Sequence, residues 1–291
     1  MKALIEQLGF VAASRHPTKA ATRYKQGRIN LIVNEEQAGQ VADFRAEHGP
    51  SANGMAFRVE NADQAYADAI KRGRQAGRRQ PLAAGRGRQG AGRHRRVPGA
   101  ALAEAKNNVG LDLLDHLTHN VRRGQMRTWS TFYNQVFGFE EQKYFDIKGQ
   151  ATGLSQDDKS QIEEFIRQYN GEGIQHLALT TDNIYETVEK LRARGVKLQD
   201  TIETYYELVD KRVPGHGEDL ERLRKNRILI DGNVGEEGLL LQIFTENLFG
   251  PIFFEIIQRK GNQGFGNGNF QALFESIELD QIRRGVITVE A

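Results

Sequence analysis

Cysteine is missing from all 291 residues. Its absence excludes disulfide staples, thiolate metal sites and a cysteine nucleophile, and it suits a cytoplasmic protein. Long apolar runs are missing too: no stretch approaches the roughly 20 residues of a membrane helix. The opening MKALIEQLGFVAASRH has a short apolar patch without the architecture of a signal peptide. Acids are missing from Arg72 to Ala103, where nine arginines stand. That one block turns an otherwise acidic chain into one of net charge +2. The same block lacks periodicity, with only Leu82, Val97 and Leu102 as large aliphatics, and reads as disordered or loosely folded.

The block contains GRGRQG, Gly85 to Gly90, in the G-x-G-x-x-G spacing of dinucleotide sites. That motif needs a strand before it and a helix after it. Here RRQPLAA and AGRHRR flank it, so it is set aside. Nucleic-acid binding through the arginines is a remote alternative, weakened because no aromatic lies between Tyr66 and Trp129 to stack a base.

Elsewhere the chain repeats itself. GMAFRVENADQAYADAIKRG (Gly54 to Gly73) and IQHLALTTDNIYETVEKLRARG (Ile174 to Gly195) each read as strand, polar turn, amphipathic helix and Arg-Gly or Arg-x-Gly. Ile184, Val188 and Leu191 fall on one helix face, and Gly195 suits a helix C-terminus. LIEQLGFVAASRH and FYNQVFGFEEQKYF share a helix end, Gly-Phe and a strand. Repeats set the architecture. The expectation is an α+β protein of paired modules in two domains, with strands around a cavity and helices outside.

Three strand-like segments each set a metal-capable side chain among apolar neighbours: His116 in LDLLDHLTHNV, His176 in GIQHLALTT and Glu255 in PIFFEII. By alternation, Thr118 accompanies His116, Ile174 and Ala178 accompany His176, and Phe253 and Ile257 accompany Glu255. Taken singly, a strand histidine is more often a core or surface residue. An acid among four large apolar side chains is rarer, because a buried unpaired carboxylate is costly. Two histidines and one carboxylate form the facial triad of non-haem Fe(II) oxygenases. His119 falls on the opposite face from His116. His16, His48, His94 and His216 lie in loop-like contexts and are given no role.

LDHLTHNV, EGIQHLAL, LLLQIFTENLFGPIFFEIIQRKG and GFGNGNFQALFESIELDQIRRGV resemble the bacterial type of 4-hydroxyphenylpyruvate dioxygenase. The resemblance covers most of the chain from Val109 onward and, more weakly, Met1 to about Lys71. It implies a vicinal-oxygen-chelate fold of βαβββ modules. It implies His116, His176 and Glu255 as Fe(II) ligands, and Gln161, Gln175 and Gln242 as pocket amides. Phe244, Phe253, Phe265 and Phe270 correspond to aromatic walls, and Asn269 lies in the matching C-terminal motif. The partners implied are an α-keto acid and O2, with no membrane; a homo-oligomer stays open. The reaction implied yields homogentisate and CO2 in tyrosine breakdown.

The match breaks in three places. The family's opening strand is missing before MKALIEQLGF. Residues 72–103 replace the last strands of the first domain, as a shifted reading frame in GC-rich DNA would; resequencing tests that. FDIKGQATGLSQDDKSQIEEF is too short and loses a wall strand. The expected division is a remnant N-terminal βαβββ domain over 1–71, an aberrant segment over 72–105 and an iron-binding domain over 106–291. An opened cavity wall implies impaired turnover. Two further alternatives are a hydroxymandelate synthase, which shares ligands and substrate, and an inactive scaffold. In an ideal strand Gln175 faces away from His176, so both reach one pocket only through a twist or bulge.

Overall fold

The computed structural model describes residues 1–72, 95–142 and 161–269, with the side chain of Gln161 outside them. Two sheets organise these residues. The first holds β1 (Val11–Arg15), β2 (Ala21–Gln26), β3 (Ile29–Asn34) and β4 (Arg95–Arg96), in the order β3-β2-β1-β4. The second holds β5 (Leu111–Asn120), β6 (Gly173–Thr181), β7 (Leu229–Asn233), β8 (Gly238–Phe244) and β9 (Phe253–Lys260), in the order β5-β6-β9-β8-β7. All its neighbours are antiparallel except β6 and β9.

β6, the helix Ile184–Ala193 and β7 to β9 compose one complete βαβββ module. Asn183 caps the helix, accepting from the Glu186 N–H at 3.2 Å. Ile184, Val188 and Leu191 are fully buried against the sheet, as their spacing predicts. Each contributes about 1.5–3 kcal/mol by leaving water. Gly195 ends the helix at φ +79, and the Val196 N–H bonds back to the Leu191 carbonyl. The main core lies on this helical side, where Leu177, Leu179, Leu241, Ile243, Phe254 and Ile256 pack. The opposite face has a separate small apolar floor of Ala178, Leu240 and Ile257. The period-two alternation of the strands therefore separates a structural face from a chemical one.

The two sheets meet through Gln26. Its amide donates to the Leu8 carbonyl and accepts from the Val109 N–H, both at 2.8 Å in a buried setting. Arg28 pairs with Asp112 across the same junction. Residues 95–107 pack on the first sheet: the Val97 N–H bonds to the Ala13 carbonyl and Lys25 pairs with Glu104.

One expected strand is not formed. Among the described residues, 54–59 have no ladder partner, and Met55, Phe57 and Val59 are exposed. A strand is stable only when a neighbour takes its hydrogen bonds. The two residues of β4 pair with β1 and not with this segment. The helix expected next does form, over Ala62–Lys71, capped by Asn61. The GRGRQG motif, His94, the short acidic linker and the helix expected over QALFESIELDQI lie outside the described residues.

Candidate metal centre

The ligand geometry follows from sheet register. One transverse row reads His116 on β5, Ala178 on β6, Glu255 on β9 and Phe244 on β8. The next reads Thr118, His176 and Phe253. Side chains of one row share a face, and those two residues along a strand share it again. His116 and Glu255 thus face each other across the small Ala178, and His176 approaches from the adjacent row. Chain distances of 60 and 79 residues collapse to bonding distances. His116 Nε2 lies 3.2 Å from Glu255 Oε2, His176 Nε2 lies 3.3 Å from the same oxygen, and the two Nε2 atoms are 3.4 Å apart. Among the described residues, these three form the one group of histidines and acids whose ligand atoms cluster within 4.8 Å.

Two interruptions of the ladder shape the site. Between the pairs Leu114↔Leu179 and His116↔Ala178, β5 has one residue more than β6, and that residue is Asp115. A bulge breaks alternation and re-aims a side chain. Asp115 is thereby brought beside its neighbour, and its Oδ1 stands 2.8 Å from His116 Nδ1. Between Thr118↔His176 and His119↔Ile174 the extra residue lies on β6 and is Gln175. This irregularity lies at the place where alternation alone would set Gln175 against His176. His119 falls on the other face as expected, its Nδ1 3.0 Å from the Tyr133 hydroxyl and its ring against Trp129.

Glu255 is 3% exposed. Burial raises its pKa, but hydrogen bonds from His116 and His176 outweigh that, and the carboxylate stays below its ordinary range. For His116 burial acts downward, yet Asp115 and Glu255 prevail and push it up to about 9 among protein groups alone. Asp115 is also held low: burial opposes ionisation, while Arg259 and His116 overcome it. Thr118 Oγ1 stands 2.8 Å from His176 Nε2. The donor set of two imidazoles and one buried carboxylate, with each Nε2 turned inward, could hold one divalent cation.

Aromatic rings surround this cluster. Phe253 lies 5.0 Å and Phe244 6.4 Å from the His176 ring, and Phe265 meets His116 edge-on at 5.0 Å. Gln242 points from the same face of β8, 1% exposed, and among the described residues its Oε1 has no hydrogen-bond partner. Asn269 is equally buried. Its Oδ1 accepts from the Tyr205 hydroxyl at 2.7 Å and from Arg212, while its Nδ2 has no partner among the described residues. Gln161 opens the helix Gln161–Tyr169, with its side chain outside the described residues; Phe270 is outside them altogether. Asp115 and Arg259 are the polar groups sequence patterning missed. Arg259 had a signal, lying four residues beyond Glu255 on the same strand face. Asp115 had none, because its orientation depends on the bulge. A shallow surface depression lined by Ser130, Thr131, Asn134, Glu140 and Glu141 contains none of these residues.

Comparison with known proteins shows the family. Residues 1–84 match the family model described as hydroxyphenylpyruvate dioxygenase, N-terminal. Residues 113–208 match that of the glyoxalase, bleomycin resistance protein and dioxygenase superfamily. The 4-hydroxyphenylpyruvate dioxygenase of Pseudomonas aeruginosa is 49% identical over 99% of this chain and 91% of its own length. The chain belongs to the 4-hydroxyphenylpyruvate dioxygenase family. Hemolysin VllY of Vibrio vulnificus is also 49% identical, with the same coverage. Among solved structures, a substituted 4-hydroxymandelate synthase from Streptomyces coelicolor superposes with a TM-score of 0.75 at 25% identity, covering 96% of this chain and 93% of its own. The fold is therefore the α+β vicinal-oxygen-chelate or glyoxalase type, and dioxygenase chemistry belongs to the family. The alignment with the Pseudomonas dioxygenase spans 327 positions against 291 residues here, so that relative has internal residues with no counterpart in this member. No helix among the described residues is long and apolar enough to cross a membrane.

Proposed function

We propose that this chain oxidises 4-hydroxyphenylpyruvate with O2 to homogentisate and CO2, using one Fe(II) held by His116, His176 and Glu255. The observation that carries the proposal is the convergence of two imidazole nitrogens and one buried carboxylate from three strands on one point. The metal supplies O2 activation. A three-residue ligand set leaves room for a chelating keto acid and O2.

The chain's own side chains bind, orient and exclude. Glu255 offsets the charge of the cation in a setting where an unpaired carboxylate would be costly. Gln242, whose buried Oε1 has no partner among the described residues, is the amide that receives a hydroxyl donor of the substrate. Gln175 serves the same pocket from the irregular stretch of β6. Phe244 and Phe253 keep water from one side of the reacting centre, and Phe265, half-exposed, borders it on the His116 side. The family resemblance assigns Gln161, Asn269 and Phe270 to the substrate as well. In domain terms, residues 106–291 are the iron-binding catalytic domain, 1–71 a remnant of the N-terminal domain and 72–105 the aberrant segment between them. A cytoplasmic location goes with tyrosine breakdown.

One experiment tests the reading. The protein is purified anaerobically, loaded with Fe(II) and mixed with 4-hydroxyphenylpyruvate, and O2 uptake and products are followed. One homogentisate and one CO2 per O2 support the proposal. The likeness to hydroxymandelate synthase supplies a second reading with the same ligands. Hydroxymandelate as product would establish it, whereas a loaded enzyme without O2 uptake would leave an inactive scaffold.

A further inference from the structure

We propose that Asp115 and Arg259 are positioning residues that fix the tautomer of His116 and tie the metal centre to the loop bearing Phe265. The inference rests on His116, His176 and Glu255 being metal ligands.

An ionised carboxylate only accepts hydrogen bonds. With Asp115 Oδ1 2.8 Å from Nδ1, the imidazole hydrogen belongs on Nδ1. The lone pair is then on Nε2, the atom facing Glu255 at 3.2 Å and His176 at 3.4 Å. Carboxylates that orient ligand histidines in this way sharpen metal affinity. Asp115 is itself held. Arg259 Nε donates to Oδ2 at 2.9 Å and Nη2 to Oδ1 at 2.7 Å, a two-pronged planar grip.

The third nitrogen of the same guanidinium goes elsewhere. Nη1 donates to the Asn262 carbonyl at 3.0 Å and to the Gly264 carbonyl at 2.7 Å. Phe265 follows directly, its ring 5.9 Å from the guanidinium carbon and edge-on to His116 at 5.0 Å. One arginine therefore holds both the acid that orients a ligand and the backbone that presents an aromatic wall. Lysine cannot reproduce this division of donors. The grip also crosses β6, joining β5 to β9, which are not neighbours. A purely structural clamp predicts lost heat stability in every variant and unchanged metal binding in the folded protein.

The test is anaerobic titration with Co(II), read by its visible d–d bands and binding midpoint, on the full chain and its variants. The unsubstituted chain should bind one Co(II), and Glu255→Ala should bind far more weakly. Asp115→Ala should lose about 10- to 100-fold in Co(II) affinity and change the band shape. It should also lose the exchange-protected His116 Nδ1–H signal in the Zn(II)-loaded protein. Arg259→Lys should weaken binding by a smaller factor and speed amide exchange in residues 262–266. Should Asp115→Ala fail to fold, Asp115→Asn and Arg259→Lys take its place. Folded variants with the affinity, spectrum and exchange of the unsubstituted chain would overturn the inference. A parent chain that binds no Co(II), or a Glu255→Ala variant that binds as well as the parent, would overturn the ligand assignment and the inference with it.

Discussion

Replacing Gly266 by alanine separates two effects that usually arrive together. Gly266 has φ +73, a conformation costing a side-chain-bearing residue about 1–2 kcal/mol. Its added Cβ would lie 2.1 Å from Gln242 Oε1 and 2.8 Å from Nε2. Carbon and oxygen do not approach so closely, so the amide of Gln242 must retreat by roughly 1 Å, a displacement that can reduce rates up to about 10²-fold when it affects a positioning group. Loss of a single neutral hydrogen bond to substrate is worth about 0.5–1.5 kcal/mol, or roughly 2- to 12-fold in KM. Gly195 is the control. It has φ +79 with nothing within 4 Å of an added Cβ, so Gly195→Ala carries the strain without the collision. Both variants should lower the heat-unfolding midpoint, by about 2–4 °C for each kcal/mol. Only Gly266→Ala should also raise KM for 4-hydroxyphenylpyruvate in steady-state O2 uptake. Equal KM values in the two variants would refute the role given to Gln242.

Other expectations follow from the same geometry. Glu255→Gln keeps the shape but removes the charge, and should lower Fe(II) affinity on the order of 10²-fold or more and abolish turnover; equilibrium dialysis and O2 uptake check both. Ala178→Leu places a larger side chain between His116 and Glu255. Overpacking should lower stability by about 1–3 kcal/mol in urea unfolding, and metal binding should weaken with it. The pH dependence has a defined sign. His116 has a pKa raised from 6.5 to about 9 in the metal-free fold, so its ion pairing stabilises that form fully below pH 6.5 and is lost as pH rises through 9. A metal must displace this proton, so apparent Co(II) affinity should rise about tenfold per pH unit between 6.5 and 9 and then level off. A flat profile in a competition assay would contradict the assignment.

The triad was legible in the sequence because each ligand sits in a strand whose other residues are apolar, and an acid in PIFFEII has no cheap fate except a cation. The helix Ile184–Ala193 was legible from its spacing and its Asn183 and Gly195 ends. Alternation misleads wherever the ladder slips. It gave no reason to place Asp115 beside His116, because an extra residue in one strand is a property of the pair and invisible in either strand alone. MAFRV, within residues 54–59, has the composition of a strand. Among the described residues, 54–59 find no ladder partner, and composition alone does not make a strand without one.

Anomalous diffraction at the iron edge from anaerobically grown, Fe(II)-soaked crystals addresses the metal centre without any assay of turnover. A single peak within about 2.0–2.2 Å of His116 Nε2, His176 Nε2 and a Glu255 oxygen is expected, on the distances usual for nitrogen and oxygen ligands. Iron bound to other side chains, or no peak at saturating Fe(II), would contradict it.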